Sequence, residues 1–317
     1  AGTHRKTSKA LIMKLSKAWA PYAFLSPFVL LFCVFGLFPI AFSFYLMFHQ
    51  WDPVQGIQTM QFVGIENIQF ALEDPWTWRS LGNTLWLALF SGLPQHLVAI
   101  PLAYLINEKL PRGRNFVMGS YFLPYITSTV AIAMMFSTVF STDYGLANSI
   151  LQALANQPGL GQLFPQGNVD WLGQPDTVKP VIAFVVFWRY LGFNMILYVA
   201  AMQSIPRELY EAARMDGASE GRIFWHITLP QLKPMMYFGM TLSVIGGLQL
   251  FEEPFILTGG KGGIEQSGMT TAMYMFRTAF EFNDFGLASA ISWLLFIIIV
   301  VLTWLTHRLF NQKGDAP

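Results

Sequence analysis

The sequence predicts an all-α integral membrane protein with six transmembrane helices, on the basis of its composition and the spacing of its charges. Hydrophobic residues make up 54 % of the 317 residues and charged residues only 12 %, about half the charged share of a typical soluble domain. The charges leave six long apolar windows, each close to the roughly 20 residues that a helix needs to cross the hydrocarbon core. In lipid the backbone must satisfy its own hydrogen bonds, which favours helices.

Five of the six windows contain no Asp, Glu, Lys or Arg, and the fourth contains a single charged residue, Arg189. The windows are residues 22–48, 81–107, 116–140, 181–202, 234–251 and 285–306. Buried helices of a large soluble protein are the alternative interpretation, but six such windows in one chain argue against it. The first window is too long for the apolar core of a cleavable signal, so it predicts an uncleaved span.

We therefore expect one membrane domain over residues 20–310, between a basic N-terminal tail at 1–19 and a C-terminal tail at 311–317. Six spans place both ends of the chain on the same side of the membrane. Fourteen of the 19 Lys and Arg residues fall in the two tails, the second loop and the fourth loop. Because cytoplasmic loops carry the excess of positive charge, both termini and the fourth loop are predicted to be cytoplasmic.

Two local signals lie in the second window and in the longest outer loop. The second window carries Pro94 and Pro101. A proline inside a helix removes a backbone hydrogen bond and tends to kink the helix, so these positions are either hinges or packing solutions. In the outer loop, residues 145–154 are predicted to form a short surface helix.

The fourth loop, residues 204–233, is charged and about thirty residues long, and we call it the elbow. Pro206 suits the first turn of a helix, and Ser204 is expected to cap that helix. Gly217 is expected to end the helix in the left-handed conformation.

A second short helix is predicted in the elbow, capped by Ser219, running to about Leu229 and stopping at Pro230. The resulting helix–turn–helix is held between two spans, which suits a docking surface that transmits force. An ordinary amphipathic helix pair lying on lipid headgroups is the alternative.

The chain lacks the motifs that an enzyme of its own would need. A phosphate-cradling loop reads Gly-x-x-x-x-Gly-Lys-Ser/Thr, and the nearest sequence, Gly260-Lys261, continues with Gly262. The five histidines are scattered without paired metal-ligand spacing. The net charge of +1 comes without a basic stripe suited to nucleic acid. We therefore expect no catalytic residue, no metal site, no hydrolysis of ATP by this chain and no nucleic-acid partner.

Ionisable groups inside spans are costly and often functional. Arg189 lies about eight residues, or roughly 12 Å, into the fourth span, and Glu252 and Glu253 lie at comparable depth near the outer end of the fifth. We expect Arg189 to pair with one of these carboxylates, either as a structural ion pair or as part of a pathway; outward snorkelling of its side chain is the alternative. Aromatic and neutral polar groups suited to a polyol lie inward of these charges, namely Tyr190, Phe193, Asn194, Gly246 and Gln249.

A family resemblance is carried by the run Glu211-Ala212-Ala213, then three residues, Gly217, Ile227 and Leu229-Pro230. This run resembles the EAA loop of ABC importer permeases. The wider context resembles the carbohydrate-uptake branch, of maltose or multiple-sugar type, at residues 192–194 (Gly-Phe-Asn), 201–206 (Ala-Met-Gln-Ser-Ile-Pro) and 258–260 (Thr-Gly-Gly). The chain departs from that pattern at 261–263, and we expect it to be without the extra spans and large outer domain of some maltose-type relatives.

The resemblance implies the type I ABC importer permease fold in a bacterial-type inner membrane. It implies that the elbow is a coupling helix seated in a groove of a separate ATP-binding subunit. The coupling positions carried over by the motif are Glu211, Ala212, Ala213, Asp216 and Gly217. It also implies that the fourth and fifth spans supply much of the transient substrate site.

The implied partners are a second similar permease, two ATP-binding subunits that hold ATP and Mg²⁺, and an extracytoplasmic substrate-binding protein. This chain would bind no cofactor itself, and the substrate would be a mono- or oligosaccharide. Importers of glycerol phosphate and other polyols share the same loop, so such a substrate stays open. Two different functions compete with that of an importer subunit: a stand-alone secondary transporter, which would need a carboxylate deep in the membrane, and a scaffold that only binds a partner.

Overall fold

The computed structural model describes residues 19–110, 112–157, 165 and 167–311, and over these ranges the chain is mostly helical. The predicted tails, apart from Trp19 and Asn311, lie outside the described residues. The helices, in chain order, are α1 Trp19–Leu46, α2 Glu66–Glu73, α3 Pro75–Lys109, α4 Arg114–Ile126, α5 Thr129–Val139, α6 Leu146–Ala155, α7 Pro175–Gln203, α8 Arg207–Met215, α9 Glu220–Ile223, α10 Leu229–Gln231, α11 Lys233–Leu248, α12 Glu252–Leu257, α13 Thr271–Phe280 and α14 Phe285–Asn311. Two short strands, β1 His49–Gln50 and β2 Gln61–Phe62, pair antiparallel with His49 opposite Phe62. Helix α6 confirms the predicted surface helix.

Within the described residues, five helical segments are long and apolar enough to cross a membrane. They are α1, α3, α7, the segment Lys233–Leu257 formed by α11 and α12, and α14. The third apolar window adds a sixth segment, but it consists of α4 and α5 bent by 94° at a short break. The prediction of six apolar segments is therefore confirmed, and the structure adds that the third segment is sharply bent.

The break in the third window has a local cause. Residues 126–130 read Ile-Thr-Ser-Thr-Val, a run of β-branched and hydroxyl side chains that are poor helix formers and compete for backbone hydrogen bonds. Thr127 and Ser128 take extended backbone angles, with ψ of 148° and 129°. In contrast, Pro94 and Pro101 both lie inside the unbroken helix α3, and their role as hinges stays a prediction.

Helices α3 and α7 form the centre of the bundle and lie side by side, with α4 packed against α7 and α11 against α3. The two largest buried apolar clusters follow this interface. Helix α4 approaches α7 so closely that a Cβ on Gly192 would lie 1.7 Å from the carbonyl oxygen of Tyr121. Only glycine permits this approach, which fixes the position of the aromatic residues that follow in α4.

Helix α1 contacts the rest of the chain mainly at its C-terminal end, against α14. Most of its large apolar side chains are exposed, including Phe24, Phe28 and Phe35. An apolar helix with so little protein around it is consistent with the lipid environment that its sequence predicts.

The elbow differs from its prediction at both ends. Ser204 does not cap α8; its hydroxyl donates to the carbonyl of Ala201, so it closes α7 instead. Pro206 occupies the N-cap position, one residue before α8 begins. Pro230 does not stop the second helix, because a π turn at Phe224–Thr228 shifts the hydrogen-bond register and places Pro230 near the start of α10, where its missing N–H costs little.

Candidate functional site

The turn of the elbow is a well-formed helix terminator. Gly217 has φ +75°, which glycine adopts without a steric penalty. The N–H of Ala218 donates to the carbonyl of Ala213 at 2.9 Å, and the N–H of Gly217 donates to that of Arg214 at 3.1 Å. These two bonds satisfy the last carbonyls of α8 in a Schellman motif. Ser219 then caps α9 by accepting from the N–H of Arg222 at 3.4 Å, so the predicted left-handed turn and second cap are confirmed.

The elbow has a small core of its own, formed by Ile205, Tyr210 and Ile223. The Tyr210 hydroxyl also contacts the Thr228 hydroxyl at 3.2 Å. This core ties α8 to the start of the next span, so the two limbs of the elbow form one packed body.

The five predicted coupling positions do not share one environment. Glu211, Ala212, Asp216 and Gly217 are exposed, while Ala213 is half-buried against the elbow's core. Four of the five side chains are thus accessible to a partner, and Ala213 also serves the packing of the elbow itself.

A network of ion pairs joins the elbow to the C-terminal end of α3. Arg214 donates to Glu108 at 3.0 Å and lies 3.5 Å from Glu220. Glu220 in turn accepts from the Tyr104 hydroxyl at 2.9 Å and lies 3.8 Å from Lys109. The hydrogen bond from Tyr104 lowers the pKa of the Glu220 carboxyl, and the hydrogen bond to Glu108 raises the pKa of Arg214. None of these residues was predicted from the sequence as a functional position.

Arg189 pairs with Glu253, one of the two carboxylates that the sequence offered as its partner. The Arg189 guanidinium lies 2.5 Å from the Glu253 carboxylate, and the two side chains are only 11 % and 3 % exposed. Arg189 also lies over the ring of Tyr190, 5.3 Å from its centroid. Glu252 is exposed, so the neighbouring carboxylate is not the partner, and Arg189 is held inside the protein rather than extended outward.

A cavity of about 230 Å³ lies between α3, α4, α7 and α11. Four of the predicted pathway residues line it: Tyr190, Phe193, Asn194 and Gly246. The other predicted pathway positions do not. Gln249 lines a separate cavity of about 650 Å³ beside α13 and α14, while Arg189, Glu252 and Glu253 are not among the lining residues of either cavity.

Four further polar residues line the smaller cavity and were not predicted from the sequence, namely Ser91, Gln95, Tyr125 and Ser243. Gln95 accepts a hydrogen bond from Asn194 at 3.0 Å, and the ring of Tyr125 stacks on Phe193 with centroids 4.6 Å apart. A signal was present, because Ser91 and Gln95 are polar and four residues apart in a window without charged residues. Polar side chains at that spacing share one face of a helix and are expected to face the protein interior.

A second polar link lies next to the cavity and connects three helices. His96 of α3 contacts the Tyr198 hydroxyl of α7 at 2.7 Å and the Ser243 hydroxyl of α11 at 2.9 Å. His96 and Tyr198 are buried. Buried polar groups that satisfy one another fix the relative positions of the helices that carry them, so α3, α7 and α11 form one unit around the cavity.

The chain is similar to known transport proteins along nearly its whole length. The family described as "Binding-protein-dependent transport system inner membrane component" matches residues 97–312. The chain is 35 % identical over 305 residues to the arabinooligosaccharides transport system permease protein AraP of Bacillus subtilis, covering 95 % of this chain and 92 % of that protein. It is 32 % identical to the lactose transport system permease protein LacF of Rhizobium radiobacter, covering 92 % of this chain and 94 % of that protein.

A solved structure shares the fold. A chain of a bacterial ABC transporter involved in the import of the acidic polysaccharide alginate superimposes with a TM-score of 0.81 at 24 % identity, covering 96 % of this chain and 100 % of that chain.

Proposed function

The chain belongs to the family of inner-membrane components of binding-protein-dependent transport systems, and from this premise we propose that it is one permease subunit of an ABC importer for sugars. Its fold is that of an ABC importer permease, and it is a multi-pass membrane protein. The observation that carries the proposal is the elbow, a packed helix–turn–helix that presents Glu211, Ala212, Asp216 and Gly217 to a partner.

In the proposed assembly the elbow faces the cytoplasm, and both termini lie on that side. Two ATP-binding subunits, with their ATP and Mg²⁺, dock there, and this chain binds no cofactor. A second, similar permease completes the pathway, and a substrate-binding protein delivers sugar from outside. The excess of Lys and Arg in the elbow and the tails supports this orientation.

The coupling step follows from how the elbow is attached. The elbow continues into α7 at one end and, through the π turn and α10, into α11 at the other. Both helices line the smaller cavity. Closure of the ATP-binding subunits would displace the elbow as a body, because its core is packed, and would thereby shift α7 and α11 around the cavity. Hydrolysis of ATP would then allow the elbow, α7 and α11 to return to their starting positions.

The lining of the cavity favours a neutral sugar. Among the lining residues that the structure describes, none carries a charge; the polar groups are hydroxyls and amides, and Tyr125, Tyr190 and Phe193 supply rings. The nearby cation Arg189 is already neutralised by Glu253. Amides and hydroxyls match sugar hydroxyl groups, and rings pack on the apolar faces of sugars, so a glycerol phosphate or another anion would find no free cation there.

Reconstitution tests the proposed function. The chain is assembled with its candidate second permease and ATP-binding subunits in proteoliposomes, and uptake of a labelled sugar is measured with the binding protein outside and ATP inside. Uptake that requires ATP and both added subunits supports the proposal. Uptake by this chain alone would instead indicate a secondary transporter, and ATPase binding without any uptake would indicate a scaffold.

The substrate is tested in the same vesicles by competition. Neutral sugars are expected to inhibit uptake of the labelled sugar, and acidic or phosphorylated sugars of the same size are not. Replacement of Tyr125 by Ala removes a stacking ring and is expected to raise the sugar concentration for half-maximal uptake about threefold to tenfold. Tyr125→Phe, which keeps the ring, is the matched control.

A further inference from the structure

The cavity is lined by three long helices, but the elbow is joined through the chain to only two of them. Helices α7 and α11 continue from the elbow, while α3 ends at Lys109, about a hundred residues earlier in the sequence. Helix α3 nevertheless supplies Ser91 and Gln95 to the cavity. A displacement of the elbow reaches this wall of the cavity only through contacts between side chains.

Besides its packing against α7 and α11, α3 contacts the elbow directly through the ion-pair network at its C-terminal end. Three residues of α3, Tyr104, Glu108 and Lys109, contact two residues of the elbow, Arg214 and Glu220. We call these five residues the clamp. Arg214 lies in the last turn of α8 and Glu220 in the first turn of α9, so the clamp holds both limbs of the elbow.

The clamp rests on an apolar contact that fixes its geometry. The ring of Tyr104 packs edge-on against Phe224, with centroids 5.1 Å apart. Tyr104 is buried, and Glu108 is only 18 % exposed. Glu108 is also held by a hydrogen bond from the side chain of Asn107 at 3.1 Å. A carboxylate held in this way offers Arg214 a fixed anchor, in contrast to a pair of freely rotating surface side chains.

Helix α3 is continuous between the clamp and the cavity. Glu108 and Gln95 are 13 residues apart in the same helix, a distance of about 20 Å along its axis. Next to Gln95, on the side of the clamp, His96 ties α3 to Tyr198 of α7 and Ser243 of α11. The three helices are therefore joined beside the cavity and again at the elbow.

We propose that the clamp couples elbow movement to α3, with Glu108, Arg214 and Glu220 as positioning residues that make all three walls of the cavity move together. This inference rests on the proposed function, since it concerns how the elbow drives the pathway. The clamp residues are separate from the proposed docking positions at Glu211 to Ala213, Asp216 and Gly217.

The experiment measures ATP hydrolysis by the complete reconstituted complex, with and without sugar-loaded binding protein. In Glu108→Gln, ATP-binding subunits are expected to co-purify and basal hydrolysis to continue, while stimulation by loaded binding protein falls about fivefold, the lower end of typical coupling between two sites. Glu108 lies on α3 rather than on the elbow, so its substitution leaves the five proposed docking side chains themselves unchanged. Arg222→Gln, which removes an elbow cation that forms no ion pair among the described residues, is the matched control and keeps full stimulation.

Two more variants separate the clamp from a general loss of structure. Tyr104→Phe keeps the ring on Phe224 and removes only the hydroxyl that donates to Glu220. Like Glu108→Gln, it is expected to lower the stimulation of hydrolysis by loaded binding protein. The double variant Glu108→Gln with Arg214→Gln is expected to be no worse than Arg214→Gln alone, because the loss of Arg214 already removes its contacts with both Glu108 and Glu220.

The outcomes distinguish failure of the clamp from failure of the proposed function. If the wild-type complex shows no stimulation by loaded binding protein, the proposed function fails. If the wild-type complex is stimulated and both Glu108→Gln and Arg214→Gln are stimulated as strongly as the wild type, the clamp proposal is overturned while the proposed function stands. Additive losses in the double variant would also overturn it, since the two residues would then act independently.

Discussion

Replacement of Glu253 by Gln tests the buried ion pair of the pathway region most directly. The substitution keeps the shape of the side chain but removes the carboxylate that neutralises Arg189. The Arg189 side chain is 11 % exposed, and its Nε has no hydrogen-bond partner among the described residues. Arg189 would therefore remain charged in a site that gives it little compensation, and such a buried charge destabilises a protein by about 3–5 kcal/mol.

This energy converts to a measurable shift in melting temperature. An unfolding entropy of about 2.1 cal/mol/K per residue, taken over 317 residues, gives roughly 1.5 °C per kcal/mol. Glu253→Gln is thus expected to lower Tm by about 5–7 °C. Thermal unfolding of the detergent-purified complex, followed by loss of the monodisperse peak in size-exclusion chromatography, measures the shift.

Two controls make this result specific to the pair. Glu252→Gln removes the neighbouring exposed carboxylate and is expected to change stability by less than about 0.5 kcal/mol. The double variant Arg189→Met with Glu253→Met removes both charges and is expected to recover most of the loss, since apolar replacement of a buried pair is often neutral. A Tm for Glu253→Gln within about 1 °C of the wild type would refute the reasoning, as would a double variant less stable than the single one.

The remaining predictions concern the elbow, the helix contact and the orientation. Gly217→Ala places a side chain at φ +75°, costs about 1–2 kcal/mol and is expected to weaken co-purification of the ATP-binding subunits. Gly192→Ala is expected to push α4 away from α7, costing about 1–3 kcal/mol, and to reduce both Tm and sugar uptake. In a Cys33→Ser background, a cysteine at the exposed Met215 is expected to react with an impermeant thiol reagent from the cytoplasmic side alone; labelling from outside would invert the proposed topology. The hydrogen bond from Tyr104 lowers the pKa of the Glu220 carboxyl. The contribution of the clamp to coupling is therefore complete above the ordinary carboxyl pKa and is lost only as the pH falls through the lowered pKa. Stimulated hydrolysis is thus expected to show no clamp-dependent change across the neutral pH range.

Local sequence patterns accounted for the features that depend on a few neighbouring residues. Apolar windows without charges predict helices wherever they occur, because the requirement for internal backbone hydrogen bonds applies segment by segment. Gly217 and Ser219 were predictable for a similar reason, since the terminator and the cap act within one turn. The break of the third span was also encoded locally, in the Ile-Thr-Ser-Thr-Val run, but the apolar character of the whole window concealed it.

Contacts between distant segments were decided by the tertiary structure alone. The sequence left Glu252 and Glu253 as equal partners for Arg189, because successive residues of a helix point in different directions and the break at 249–251 sets which one faces α7. The lining of the cavity by Gln95 and the contact of Arg214 with Glu108, 106 residues away, depend on how α3 packs against α7 and the elbow. The membrane class, the helices and the turn of the elbow thus follow from local sequence patterns. The packing of the helices decides which polar groups meet, because two residues far apart in the chain leave no shared pattern in either local segment.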